Sequence, residues 1–132
     1  MMDKLEPLKS SLNTLRLSET KENLIKVLIE ITKLLPPSDD VAITVGKKGT
    51  HEYVIDRKGL AIITTSQDEY LPFLSSSEKR ISMEQLPDDV AKKVISDISS
   101  LLVQLRDILK AQARRNPSYG LLASEVDLIA KS

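Results

Sequence analysis

The chain has 132 residues, 41% hydrophobic and 29% charged, and its Lys and Arg (19) balance its Asp and Glu (19), which fits one globular domain with a sizeable core. Zero net charge counts against a generic nucleic-acid binder. The absence of cysteine excludes disulfides, thiolate chemistry and cysteine-ligated metal sites, and Tyr53, Tyr70, Phe73 and Tyr119 are too few aromatics for a base-stacking platform.

Leu5, Leu8, Leu12 and Leu15 recur at helical spacing and predict a helix over 4–17. Asp3 and Glu6 stand at capping-box spacing at its start. The stripe fails at Glu19 and Glu22, so Ser18 is the expected N-cap of a second helix over 19–35. Its face is Leu24, Val27, Leu28, Ile31, Leu34 and Leu35, and Pro36-Pro37 ends it because neither residue donates a backbone hydrogen bond. One kinked helix over 4–35 is the alternative.

Val41, Ile43 and Val45 alternate with Ala42 and Thr44 as in a half-buried strand. Gly46-Lys47-Lys48-Gly49 reads as a turn, 50–56 as a second strand with Tyr53 and Ile55 on one face, Asp56-Arg57-Lys58-Gly59 as a second turn, and 60–65 as a third strand with Ile62 and Ile63. Turns this short force an antiparallel meander. Over 66–86 the expectation is a loop holding one or two helical turns, with room for a short strand at 79–82. It contains the apolar cluster Tyr70-Leu71-Pro72-Phe73-Leu74, and Ser75/Glu78 and Ser82/Gln85 at capping-box spacing.

The strongest pattern spans Pro87 to about Arg115. Ala91, Val94, Ile98, Leu101, Leu105 and Ile108 fit heptad a/d positions, and Ile95, Leu102 and Leu109 fill the neighbouring e position. This predicts one long amphipathic helix with a face wider than a coiled-coil seam. Pro87 suits a first helical position, Asp88 and Asp89 suit the positive end of the dipole, and Asn116-Pro117 ends the run. The tail over 120–132, with Leu121, Leu122, Val126, Leu128 and Ile129, is expected as a short helix rather than an edge strand. The fold expected is a single α+β domain over 1–132 in the order α-α-β-β-β-α-α. Helices cover a small antiparallel sheet of three strands, or four if 79–82 joins.

No catalytic or metal constellation emerges. His51 is the only histidine, and its neighbour Glu52 faces the other side of the strand. Gly46-Lys47-Lys48-Gly49 joins two strands, whereas a phosphate loop joins a strand to a helix. Asp39-Asp40 and Asp88-Asp89 read as turn and helix-start residues, and the serine runs at 75–77 and 99–100 have no base nearby in sequence. Neither enzymatic activity nor a cofactor is expected.

Charge is unevenly placed. Asp68, Glu69, Glu78, Glu84, Asp88 and Asp89 dominate 67–90, and Lys92, Lys93, Arg106, Lys110, Arg114 and Arg115 dominate 91–120. Arg106, Lys110 and Arg114 step by four along one helix ridge.

The functional expectation is a non-catalytic protein-interaction module acting as a homodimer or as a subunit of a larger assembly. Val94, Ile98, Leu101, Leu102, Leu105, Ile108 and Leu109 are the candidate interface. A competing reading packs that same face on the sheet of its own chain. The alternative function is a nucleic-acid-associated protein, or one contacting an acidic partner, through Lys47, Lys48, Arg57, Lys58, Arg106, Lys110, Arg114 and Arg115. The basic turns lie at opposite ends of a strand, about 15–20 Å apart. No apolar run reaches the roughly 18–20 residues of a membrane span, and the N-terminus lacks an apolar signal core, so a cytoplasmic location is expected.

Overall fold

A helical pair, a four-stranded antiparallel meander and three further helices follow one another along the chain. The computed structural model describes residues 5–36, 41–67 and 74–131. The elements are α1 (Glu6–Leu17), α2 (Lys21–Leu34), β1 (Ile43–Lys48), β2 (His51–Asp56), β3 (Gly59–Gln67), β4 (Leu74–Ile81), a 3-10 turn (Met83–Gln85), α3 (Asp88–Ser96), α4 (Ile98–Gln112) and α5 (Ser118–Lys131). The fold is α+β, as the sequence predicts.

The Leu5–Leu15 stripe is fully buried, and the bend between α1 and α2 settles the kinked-helix alternative in favour of two helices. The N-cap of α2 is Thr20 rather than Ser18: its side-chain oxygen accepts from the Asn23 amide at 3.2 Å. Ser18 instead closes α1, donating its N–H to Thr14 O at 3.0 Å, while its own carbonyl accepts from Asn23 Nδ2 at 2.7 Å. The Asp3–Glu6 capping box lies outside the described residues.

The sheet has strand order β1-β2-β3-β4. Its first hairpin differs from the sequence reading. Lys47 and Lys48 belong to β1, pairing with Glu52 and His51, and the turn is Gly49-Thr50. A bulge at Val45 supplies the extra residue and shifts the register between Thr44 and Gly46. Gly49, at φ 61°, takes the left-handed conformation the turn needs. Gly46 lies against α3, where an added Cβ would stand 2.8 Å from Val90 Cγ1. Glycine therefore allows the helix to rest directly on β1.

The described residues of the segment expected as a loop are mostly strand. β4 pairs with β3 from Leu60↔Ile81 to Gln67↔Leu74, which makes the fourth strand longer than 79–82. Ser75 and Glu78 therefore sit in a strand, whereas the Ser82/Gln85 capping box forms, with Ser82 N–H donating to Gln85 Oε1 at 2.8 Å. Residues 70–73 of the apolar cluster lie outside the described residues.

The long C-terminal amphipathic helix is present as α4, but the helical run from Pro87 to about Arg115 is not continuous. It breaks at Asp97, at φ −133° and ψ 47°, into α3 and α4. Ser96 Oγ donates to Lys93 O at 2.8 Å and satisfies a carbonyl at the end of α3. A straight helix of that length would run about 40 Å, more than twice the length of a six-residue strand. The break lets α3 cross β1 while α4 changes direction, touching β1 through Gln104 and packing along α5.

Ile43, Ile55, Leu60 and Ile81 form one cross-strand row, and Tyr53 and Ile62 lie on the same face. This face meets the helices. One continuous aliphatic core joins it to α1, α2, α3, α4, Ala123 and Val126 of α5, and Leu86. The opposite face carries the row Thr44, Val54, Ala61 and Arg80, with Glu52, Asp56, Ile63 and Glu78 beside it.

Candidate functional site

The residues expected to meet a partner belong to the chain's own core. Val94, Leu101, Leu102, Leu105 and Leu109 are buried, and Ile98 and Ile108 are partly buried against the same cluster. α5 returns along α4 and covers part of this broad face, so the tail takes the place that a second chain would take in a coiled coil. Within the chain this face packs chiefly under α5 and only in part on β1, rather than on the sheet as the competing reading expects.

The apolar surface left outside lies on α1 and α5. α5 buries Ala123 and Val126 and half-buries Leu122 and Ile129. Its outer side carries Leu121 and Leu128, exposed at 75% and 69%, seven residues and thus two turns apart. Leu17, at the end of α1, is 89% exposed. Between the two helices runs a groove of about 520 Å³ lined by Lys9, Leu12, Asn13, Arg16, Glu125, Leu128 and Ile129. Periodicity could have marked the outer leucines, because 121 and 128 fall off the 122/126/129 stripe. The groove has no sequence signal, since it needs α1 and α5 to be neighbours.

Several of the candidate cations are engaged within the chain. Lys48 pairs with Asp89 at 3.3 Å and holds its carboxyl below the usual range. Arg106 donates to Asp127 at 2.7 Å and pairs with Asp107 at 2.9 Å, and these bonds raise its pKa. Asp127, held by Lys131 first and Arg106 second, is pushed down. Arg106 and Lys110 line a second groove of about 430 Å³ between α4 and α5, with Gly120, Ala123, Ser124 and Asp127. Lys47, Arg57 and Lys58 are exposed on the hairpin ends. Lys110, Arg114 and Arg115 are exposed on the last turn of α4 and just beyond it, and make no ion pair among the described residues.

The sheet residues with polar chemistry satisfy one another. His51 Nδ1 lies 2.9 Å from Thr64 Oγ1 on the neighbouring strand. Thr44 Oγ1 donates to Glu52 Oε1 at 2.8 Å. Arg80 grips Asp56 with both terminal nitrogens, through Nη1 at 2.7 Å and a short contact from Nη2. That hydrogen-bonded fork, aided by the Lys58 amide, holds the Asp56 carboxyl below its ordinary value. Gln104 reaches from α4 to the outer edge of β1. Its Oε1 accepts the Thr44 N–H at 3.1 Å and its Nε2 donates to the Thr44 carbonyl at 3.0 Å. Among the described residues, no group of three or more histidines or carboxylates is placed to hold a metal ion, and no helix is long and apolar enough to cross a membrane.

No protein-family model matches the chain. Comparison with curated proteins and with solved structures likewise gives no match.

Proposed function

We propose that this chain is a non-catalytic protein-interaction module, acting as a homodimer or as a subunit of a larger assembly. The observation that carries this reading is the one-sided covering of α5. Its inner face completes the core, while Leu121 and Leu128 stand outside it and Leu128 lines the α1–α5 groove. Two exposed leucines on one ridge, with Glu125 between them and a cleft lined by Leu12, Leu128, Ile129 and the polar Lys9, Asn13 and Arg16 alongside, offer the mixed apolar and charged surface of a protein contact. The long helix, first in line as an interface on its pattern alone, contributes the scaffold on which that surface is mounted.

A nucleic-acid role has less support. Lys48 and Arg106 are paired with carboxylates, which leaves Lys110, near the end of α4, and Arg114 and Arg115 just beyond it as the cations of this region with charge to offer. A change of these three to Ala is expected to leave DNA and RNA binding at low salt unaltered.

Light scattering on a size-exclusion column at low and high salt tests the main reading. The expected outcome is a species heavier than the 14.7 kDa chain that survives high salt, or a monomer whose partner is captured through α5 and lost with Leu121→Glu and Leu128→Glu together. A monomer whose binding properties are indifferent to both leucines overturns it.

A further inference from the structure

We propose that the free edge of β4 receives a second copy of this chain, antiparallel, so that two sheets join as one about a two-fold axis at Lys79. This rests on the interaction-module reading and assigns it a second surface, distinct from α5.

A four-stranded open sheet has two edges, and this one treats them differently. β1 is closed: Gln104 satisfies both backbone groups of Thr44, and α3 and α4 lie against that strand. At the other end β4 pairs with β3, and no further strand follows among the described residues. An edge strand of eight residues offers alternate N–H and C=O groups to any chain that can lie beside it. The helices rest mainly over β1 and β2; on β4, Ile81 packs against the core while Glu78, Lys79 and Arg80 are exposed.

Charge selects the occupant. Glu78 and Arg80 stand on the sheet face away from the core, with Lys79 between them on the other face. Arg80 is held in place by Asp56 and lies 3.5 Å from Glu78, and both side chains remain half exposed. An antiparallel copy centred on Lys79 sets Glu78 directly across from Arg80 of the second copy, and the symmetry repeats the pair. Even-numbered residues then meet even-numbered ones, which keeps the outer faces of the two sheets continuous. Shifting the axis to residue 78 would set glutamate against glutamate and lose both Glu78–Arg80 pairs, so the two opposite-charge pairs favour the axis at Lys79 over the single lysine pair that it sets face to face. In that register the overlap is 77–81, about 17 Å of shared strand. Lys79 meets its own copy across the axis on the opposite face, where two long exposed side chains splay into solvent.

The test uses Glu78→Arg and Arg80→Glu, each alone and mixed in equal amounts, with sedimentation or light scattering as the readout and far-ultraviolet circular dichroism to confirm folding. The native chain is expected to dimerise. Each variant alone sets like charges across the axis twice and should weaken dimerisation about tenfold or more. The equal mixture should restore a mixed dimer, because each variant supplies the charge the other lacks. Since Arg80→Glu also loses its grip on Asp56, the mixing is repeated with Arg80→Glu/Asp56→Arg, which keeps a reversed pair within the chain. Variants that dimerise as the native chain does, or a mixture that associates no better than its components, overturn the proposal. A native dimer dissociated by the α5 leucine substitutions but indifferent to Glu78→Arg would also overturn it while leaving the interaction-module reading intact.

Discussion

Single side chains decide how this sheet ends. The Gln104 amide stands where a neighbouring strand would otherwise bond, and it matches the Thr44 N–H and C=O donor for acceptor. Gln104→Ala leaves two part-buried backbone groups without partners and is expected to cost about 1–3 kcal/mol in urea denaturation. Gln104→Glu is expected to be as harmful near neutral pH, because a carboxylate can accept from Thr44 N–H but repels its carbonyl. The Asp56–Arg80 fork gives a pH signature. The folded-state pKa of Asp56 is lowered, chiefly by the Arg80 hydrogen bond. Its contribution is therefore fully present above the unfolded-state value of about 3.9 and is lost as pH falls through the lower folded value. Denaturation midpoints of the native chain and Asp56→Asn should differ by a constant amount from pH 7 to about 5 and converge below about pH 4. A gap that persists in acid would show that the fork contributes through packing rather than charge.

At the scale of elements, boundaries follow hydrogen bonds that form only once neighbours are in place. Thr20 caps α2 because α2 begins at Lys21, with Thr20 extended just before it, while the backbone of Ser18 closes α1. Thr20→Ala should lower stability by about 1 kcal/mol, read from the thermal midpoint, while Ser18→Ala should have the smaller effect of losing no cap oxygen. The break at Asp97 is invisible to periodicity because the apolar residues keep their spacing through it. What fixes it is the pair of surfaces on either side: Val90 against Gly46 for α3, and the α5 contact for α4. β4 is longer than the 79–82 that the sequence suggests for a related reason. Its serines and charges carry little strand propensity, and only pairing with β3 makes them a strand.

Across the whole molecule, the core and the outer surface divide between adjacent helices. Leu105 on α4 is fully buried and Leu121 on α5 is mostly exposed. Leu105→Ala should cost about 2–5 kcal/mol, whereas Leu121→Ala should change folding stability by less than about 0.5 kcal/mol. Equal costs would mean that α5 is docked more deeply than its leucines show, and the surface proposed for a partner would then be core. The α1–α5 groove and the β4 edge involve separate parts of the chain, so the two proposed contacts do not compete for the same residues.

By itself the sequence determined the α+β class, the aliphatic character of the core, the antiparallel meander and the presence of a wide apolar face on the long C-terminal helical run. These rest on spacing and turn chemistry, which act over a few residues. Only the tertiary structure decided what covers that face. A helical stripe states that Leu101, Leu102, Leu105 and Leu109 must leave water, but burial has no direction and is satisfied equally by a second chain or by α5. The bulge at Val45, the closing of β1 by Gln104 sixty residues later in the chain, and the place of β4 at the edge of the sheet among the described residues were decided at the same level. Each depends on hydrogen bonds or packing between segments distant in sequence, and no local pattern encodes which segment will arrive.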